Sequence, residues 1–340
     1  VAEEAAVVSR PTQQLSSRAG WSDIKARHPW LVFLLSRVAR LVVVCALLLV
    51  GTFLMVRLMP GDPARRILGL QATPEAVELT RHRLGLDRSQ FEQLWSYCRN
   101  ALHLDFGESF SQGVPVRELI AERFPKTVEL AAAATMVLLI VGFGVGTLMA
   151  VLTRDGRRPR LDATYGTSMG ALSAVPDFVL AALFAVVFGL YLKWFPVAGD
   201  NGLSSLTLPT LAVAIPGIGF LSRVVRAEAL DVLSQNYVRT ARAKRLTSWR
   251  IYVRHVMPNA AYGGVTLAGV SFASLVGGTV VVEQVFNWPG MGSALTSAVV
   301  NRDYPVVQAG VLLLGATVVI VNTLVDVLLA IVDPGALREN

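Results

Sequence analysis

The sequence predicts an all-α integral membrane protein with six transmembrane helices, and three observations predict it. The 340 residues are 53% hydrophobic and only 16% charged, against about 25% charged in an average soluble domain. Mean hydropathy is +0.53, and the apolar residues gather into runs of about 20 residues, the length that crosses a bilayer core. Arginines crowd into alternate loops between those runs. The formal charge of +7 therefore reports membrane orientation rather than nucleic-acid binding.

Residues 1–36 read as a polar cytoplasmic tail with no apolar leader, turning into a membrane-surface helix near Trp30 and Phe33. Arg37 and Arg40 precede the first span, which occupies 41–59 within a segment set at 37–59, and Arg57 is placed to snorkel toward the headgroups. Residues 60–126 form a partly helical extracytoplasmic insertion. It opens on the helix-stopping turn Pro60-Gly-Asp-Pro63 and carries helical stretches at 75–84, 90–102 and 116–123 around a glycine-bearing loop at 106–113. Residues 127–335 hold the other five spans, at 127–152, 164–194, 207–225, 262–285 and 306–332, and 336–340 form a short tail. Gly142 and Gly146 have the spacing that lets two helices approach closely. Pro176-Asp177 is expected to break the third span, and Pro209 and Pro216 the fourth. Such breaks survive in lipid only inside a packed bundle or beside a water-filled cavity.

The loop after the second span carries Arg154, Arg157, Arg158 and Arg160, and the loop after the fourth is also basic. The loops at 195–206 and 286–305 carry one arginine, Arg302. By the positive-inside rule both termini are expected in the cytoplasm.

Chemistry-bearing residues are sparse. Cys45 and Cys98 are unlike in setting and form no disulfide framework, and the four histidines show no metal-ligand spacing. Asp105 and Glu108 read as solvated loop acids. Glu129, Asp177, Glu283, Asn322 and Asp326 lie in or at the ends of spans, where ionisable groups are rare. Inter-helix or inter-subunit hydrogen bonding accounts for them better than a proton or substrate path, because no relay partner is evident on another span. No phosphate-binding Gly-x-x-x-x-Gly-Lys-Ser/Thr loop occurs.

One charged run interrupts the hydrophobic body, over 236–259. Read as a helix from about Ala227, it places Leu230, Leu233, Tyr237 and Ala241 on one face. Thr247-Ser248 then start a second short helix, which Pro258 interrupts. Two short amphipathic helices between spans make a docking device rather than a tether.

The run Tyr237-Val-Arg-Thr-Ala-Arg-Ala-Lys244, followed by Arg254-His-Val-Met-Pro-Asn-Ala260, closely resembles the cytoplasmic EAA loop of ABC-importer permeases. It is most similar to the first permease of dipeptide, oligopeptide and nickel importers. Further blocks resemble the same family in the same order: Arg57-Leu-Met-Pro-Gly-Asp-Pro63, Leu84-Gly-Leu-Asp87, Asp105-Phe-Gly-Glu-Ser109, Val282-Glu-Gln-Val-Phe286 with Pro289-Gly-Met-Gly292, and Asn301-Arg-Asp-Tyr-Pro305. The chain departs from the pattern at Arg245, where members usually carry glycine; a left-handed turn there costs a non-glycine residue about 1 kcal/mol.

The resemblance implies the type I ABC-importer permease fold, with the coupling loop at 227–259. It implies a second homologous permease, one or two ATPase subunits or one fused ATPase chain, an extracytoplasmic substrate-binding protein and membrane lipid as partners, and no nucleic acid. ATP and Mg would be bound by the partner subunits, with no cofactor in this chain. The expected ATPase contacts are Glu228, Tyr237, Arg239, Ala241, Arg242, Ala243, Lys244 and Arg245. Asp177, Glu283, Asn322 and Asp326 are expected along the pathway or between permeases, and Asp105, Glu108, Arg302 and Asp303 against the binding protein. Peptide is the expected substrate, with nickel or haem as alternatives. An ion-coupled secondary transporter is the competing class, and a membrane enzyme the weakest.

Overall fold

A computed structural model of the chain describes residues 29–58, 63–68, 72–83, 85, 87–244, 247 and 257–332. Among these residues the regular elements are helical, apart from one isolated bridge between Glu108 and Pro115. The turn at Pro60-Gly-Asp, the second short helix after Ser248, Arg245, the side chain of Arg57, residues 1–28 of the N-terminal tail and the C-terminal tail lie outside the described residues.

Helix α1 (Pro29–Leu58) is one unbroken rod, not a surface helix followed by a span. No glycine or second proline lies between Trp30 and Val50, so nothing stops its propagation. It packs along the last helix, α13 (Tyr304–Val332), where Leu48 fills the space that Gly315 leaves. Arg37 pairs with Asp326 at 2.8 Å, and its guanidinium lies 5.1 Å from the Phe33 ring centre.

The insertion holds α2 (Pro63–Leu68), α3 (Pro74–Arg83) and α4 (Gln90–Leu102). A capping box starts α4: Ser89 Oγ accepts from the Glu92 amide, and Glu92 Oε2 accepts from the Ser89 amide.

Helix α5 (Val116–Thr153) corrects the expected boundary between insertion and second span. It runs straight through Pro125, because Val116 and Leu119 at its start are buried with Met291, Ala298 and Val306. Tertiary packing thus outweighs the hydrogen bond that the proline removes. Helix α6 (Pro159–Ala174) and α7 (Asp177–Phe184) meet at 88°, with Val175 extended ahead of Pro176 as the residue before a proline prefers. From Ala185 to Tyr191 the chain continues α7 as a wider π-helical turn.

Helix α8 (Leu203–Ser234) corrects a second expectation: it is continuous through Pro209 and Pro216. It is the central rod, flanked by α5, α6 and α7, and enclosure by neighbours lets a helix absorb its prolines. It approaches α5 closely at Gly142 and Gly146. A Cβ on Gly146 would stand 2.5 Å from the Ser222 carbonyl oxygen, so two bare backbones touch as the glycine spacing requires.

An extended Gln235 ends α8, and α9 (Asn236–Ala243) follows as a separate helix rather than as a continuation from Ala227. Beyond it come α10 (Met257–Gly278), α11 (Val280–Val285) and α12 (Met291–Asn301), the last occupying a stretch expected to be loop. By length and composition α1, α5, α8 and α13 can each cross a membrane, and the bent α6–α7 pair makes a fifth span if counted as one. At 22 residues α10 is about 33 Å long, close to a bilayer core, and is apolar over Leu267–Gly278.

Candidate functional site

The two ends of the bundle are built differently. At one end α9 lies across the tips of α5 and α8. Val238 and Ala241 are buried there in a cluster with Ala150, Ala229, Val232 and Leu233. Tyr237, Ala243 and Lys244 are exposed. The expectation of one face running unbroken through Leu230, Leu233, Tyr237 and Ala241 is therefore corrected: Tyr237 is exposed, while the other three are buried or half-buried. The break at Gln235 rotates α9 relative to α8, and Val238 takes the buried position. Ala241 consequently faces the bundle and is not itself a surface contact. Glu228 is half-buried on the last turns of α8, and α9 carries Arg239 and Arg242 in its backbone.

This end is cross-tied by a cluster that the sequence did not flag. Arg226 pairs with Asp162 at 2.5 Å, donates to Thr153 Oγ1 from Nε and Nη2 at 3.3 and 3.1 Å, and lies 5.9 Å from the Tyr165 ring centre. Arg223 donates to Ser173 Oγ at 3.0 Å. The tips of α5, α6 and α8 are thus clamped immediately beneath α9.

At the other end the separated sequence blocks converge into a cap. The Glu283 side chain is fully buried: Oε1 accepts from the hydroxyls of Thr127 (2.8 Å) and Thr279 (3.1 Å), and Oε2 from the Ser293 amide (2.9 Å). Thr127 Oγ1 in turn accepts from the Met291 amide at 2.7 Å. Gly290 and Gly292 border the same carboxylate so closely that a Cβ at either would fall within 2.9 Å of it. The buried Trp288 donates its indole N–H to the Lys126 carbonyl at 3.0 Å. Lys126 reaches Asp200 at 2.6 Å and Glu129 at 3.3 Å, and its ammonium holds the Asp200 carboxyl below the usual carboxylate range. Glu283, expected in a pathway or inter-permease contact, instead organises the inside of this cap.

Asp303 is corrected likewise. It is buried, accepting from the Ser109 and Ser111 hydroxyls at 2.5 and 2.7 Å and from the Phe110 and Ser111 amides at 3.0 Å each. It pins the insertion loop to the junction of α12 and α13 rather than facing a partner. Burial pushes its carboxyl up, but the four donors outweigh burial and hold it below its ordinary value. Its contribution to loop docking is therefore present above the unfolded carboxylate value of about 4 and lost as pH falls through the lower, folded value. Protease nicking between Ser109 and Gly113 should accordingly rise sharply only in strong acid, and Asp303→Asn should bring it on at neutral pH.

Of the remaining expected residues, Asp105 and Glu108 are exposed beside that loop, and Arg302 ends α12 in a left-handed conformation with φ of 54°. Asp177 is the first residue of α7 and accepts from the adjacent Phe178 amide. Asp326 pairs with Arg37, a relation between first and last helices that spacing alone could not reveal. Asn322 Oδ1 is buried with no hydrogen-bond partner among the described residues. Thr127, Ser109 and Ser111 were missed as singletons, yet Ser109 and Asp303 belong to two quoted sequence blocks.

Long apolar helices packed glycine against backbone, a short helix braced at one end and a hydrogen-bonded cap at the other define a multi-pass membrane permease. The chain belongs to the binding-protein-dependent transport system inner membrane component family, whose pattern matches residues 126–338; the N-terminal pattern of the same systems matches 30–131. A protein of Brucella abortus (strain 2308) assigned as a peptide transport system permease is 40% identical over 313 residues, covering 88% of this chain and 97% of its own length. The glutathione transport system permease protein GsiC of Escherichia coli (strain K12) is 38% identical over 302 residues, covering 89% and 97%. Among solved structures, the methionine ABC transporter MetNI in inward-facing conformations superposes with a TM-score of 0.55 at 18% identity, over 64% of this chain and 97% of that one. That likeness concerns the fold.

Proposed function

We propose that this chain is one of two homologous permeases in an ATP-driven importer of short peptides in the bacterial cytoplasmic membrane. An extracytoplasmic binding protein delivers the peptide, and one or two ATPase subunits, or one fused chain, bind ATP and Mg and dock on α9. Both termini and α9 are cytoplasmic in this reading, which the arginine distribution of the loops supports. The relatives named for peptide and glutathione transport support a peptide substrate, glutathione being a tripeptide.

The observation that carries this reading is the mounting of α9. Val238 and Ala241 lock it onto α5 and α8, while Tyr237, Ala243 and Lys244 face outward. A push on a loosely hung helix would be absorbed locally. A push on this one passes through the Arg226 clamp into three spans.

The test is Ala243→Asp, which puts a charge on the exposed end of α9 without touching its buried side. Peptide uptake should fall at least tenfold, about 1.4 kcal/mol of lost coupling, with unchanged protein in the membrane. Uptake by the unmodified system should survive collapse of the membrane potential while ATP is maintained. Normal uptake by the variant together with loss on collapse would identify an ion-coupled transporter instead.

A further inference from the structure

Helix α4 has an apolar side twice as wide as its packing uses. Tyr97, Leu94 and Ala101 face inward, and the Tyr97 hydroxyl meets Thr52 Oγ1 of α1 at 3.1 Å while its ring stacks on Phe53. Turning about the helix at 100° per residue, the next positions are Phe91, Trp95 and Leu102, at i, i+4 and i+11. They are 75%, 67% and 81% exposed. The charged and polar residues Glu92, Ser96, Arg99 and Asn100 occupy the opposite arc. In water such an uncovered ridge is unfavourable, in proportion to the apolar surface left wet.

The depth of α4 decides what covers the ridge. Arg37 and Arg40, near the start of α1, set a level there, because long basic side chains near a helix end snorkel to the headgroup boundary, and the Arg37–Asp326 pair carries that level to α13. Tyr304, at the far end of α13, lies 22 residues from Asp326, about 33 Å along the helix, which is one bilayer core. Thr52 lies 15 residues from Arg37, about 22 Å, and so falls short of the opposite boundary by roughly a third of the core thickness. A helix that bonds Thr52 and stacks on Phe53 is therefore beside the outer leaflet, not above it. The exposed side chains of α1 at this level, Val50, Leu54 and Met55, continue the same apolar surface.

We propose that α4 is an interfacial helix, seated in the outer leaflet with Phe91, Trp95 and Leu102 among the acyl chains and Arg99 in the headgroups. The occupant is the lipid bilayer rather than a protein partner. The capping box at Ser89 gives the helix its fixed start, and the Trp95 ring has the amphipathic character that favours this depth. The insertion is thereby anchored to the membrane independently of the Asp303 loop contact.

The test is spin-label accessibility on the assembled transporter in phosphatidylethanolamine–phosphatidylglycerol nanodiscs, without the binding protein. The background is Cys45→Ala and Cys98→Ala, with single labels at Trp95→Cys, Phe91→Cys or Leu102→Cys and a control at Glu92→Cys. Relaxation by oxygen, which partitions into lipid, should exceed relaxation by a water-soluble nickel chelate several-fold at the three ridge positions and be reversed at the control. Retained peptide uptake selects the variants that fold, and three ridge positions leave the result independent of any one of them. Chelate-dominated relaxation at the ridge would overturn the proposal in favour of an aqueous surface. Shielding from both reagents would overturn it in favour of a protein partner.

Discussion

Glu283→Ala should be among the most destabilising single changes in the described part of the chain. The carboxylate receives two hydroxyls and one amide in a site that water does not reach, and its removal strands all three donors. Each stranded group costs about 1–3 kcal/mol, so the three together should cost at least about 3 kcal/mol. Thermal unfolding of the detergent-purified permease complex should show a clear drop in midpoint. Glu283→Gln should be milder, since its amide oxygen can still accept one set of donors while its NH₂ faces the other. Gly290→Ala should also be severe, because its Cβ would stand 2.3 Å from Glu283 Oε2. Combining Gly290→Ala with Glu283→Ala should be less damaging than the sum, as expected when one change removes the atoms with which the other collides. Strict additivity would show that Glu283 and the glycine turn act independently.

A second large effect is expected at Gly146. The obstacle to a Cβ there is the Ser222 carbonyl oxygen at 2.5 Å, with Val225 Cβ at 2.9 Å, and a backbone atom cannot rotate out of the way. Gly146→Ala must push α5 and α8 apart, at about 1–3 kcal/mol for overpacking, and Gly146→Leu should prevent accumulation of folded permease in the membrane. Gly142→Ala meets only the flexible Leu221 side chain and should be tolerated better, and Gly144→Ala meets nothing within 4 Å and should be neutral. Size-exclusion profiles of fluorescently tagged variants would rank the three, and an equal loss at positions 144 and 146 would contradict the close contact of α5 with α8.

The sequence revealed the fold to the extent that hydropathy and local backbone chemistry control it. The long apolar runs, the break at Pro176, the helical insertion and the close approach at Gly142 and Gly146 were all visible from residue types and spacing. The prolines at 209 and 216 misled, because a proline's local cost is legible while the packing that absorbs it is not. The face of α9 was misread for a related reason. One extended residue, Gln235, reset the helical phase, so periodicity carried across it put Tyr237 in line with Leu233, which is buried. The polar residues within spans were recognised as unusual, but their partners lay too far along the chain for spacing to show. Thr127 lies 156 residues from Glu283, and Ser109 lies 194 from Asp303. The ordered sequence blocks were the surer guide, since Asp105–Ser109 and Asn301–Pro305 meet in space through those last two residues.

The same separations bear on how the protein is made. At about 5–20 residues per second, a ribosome finishes Glu283 roughly 8–30 s after it has delivered Thr127, 156 residues earlier. For that interval Thr127 of α5 lacks its partner, and the Glu283 carboxylate that fastens it is still unsynthesised. Nascent chains halted before Asp303 should therefore hold the insertion loosely, and the final two helices close the molecule as a clasp does.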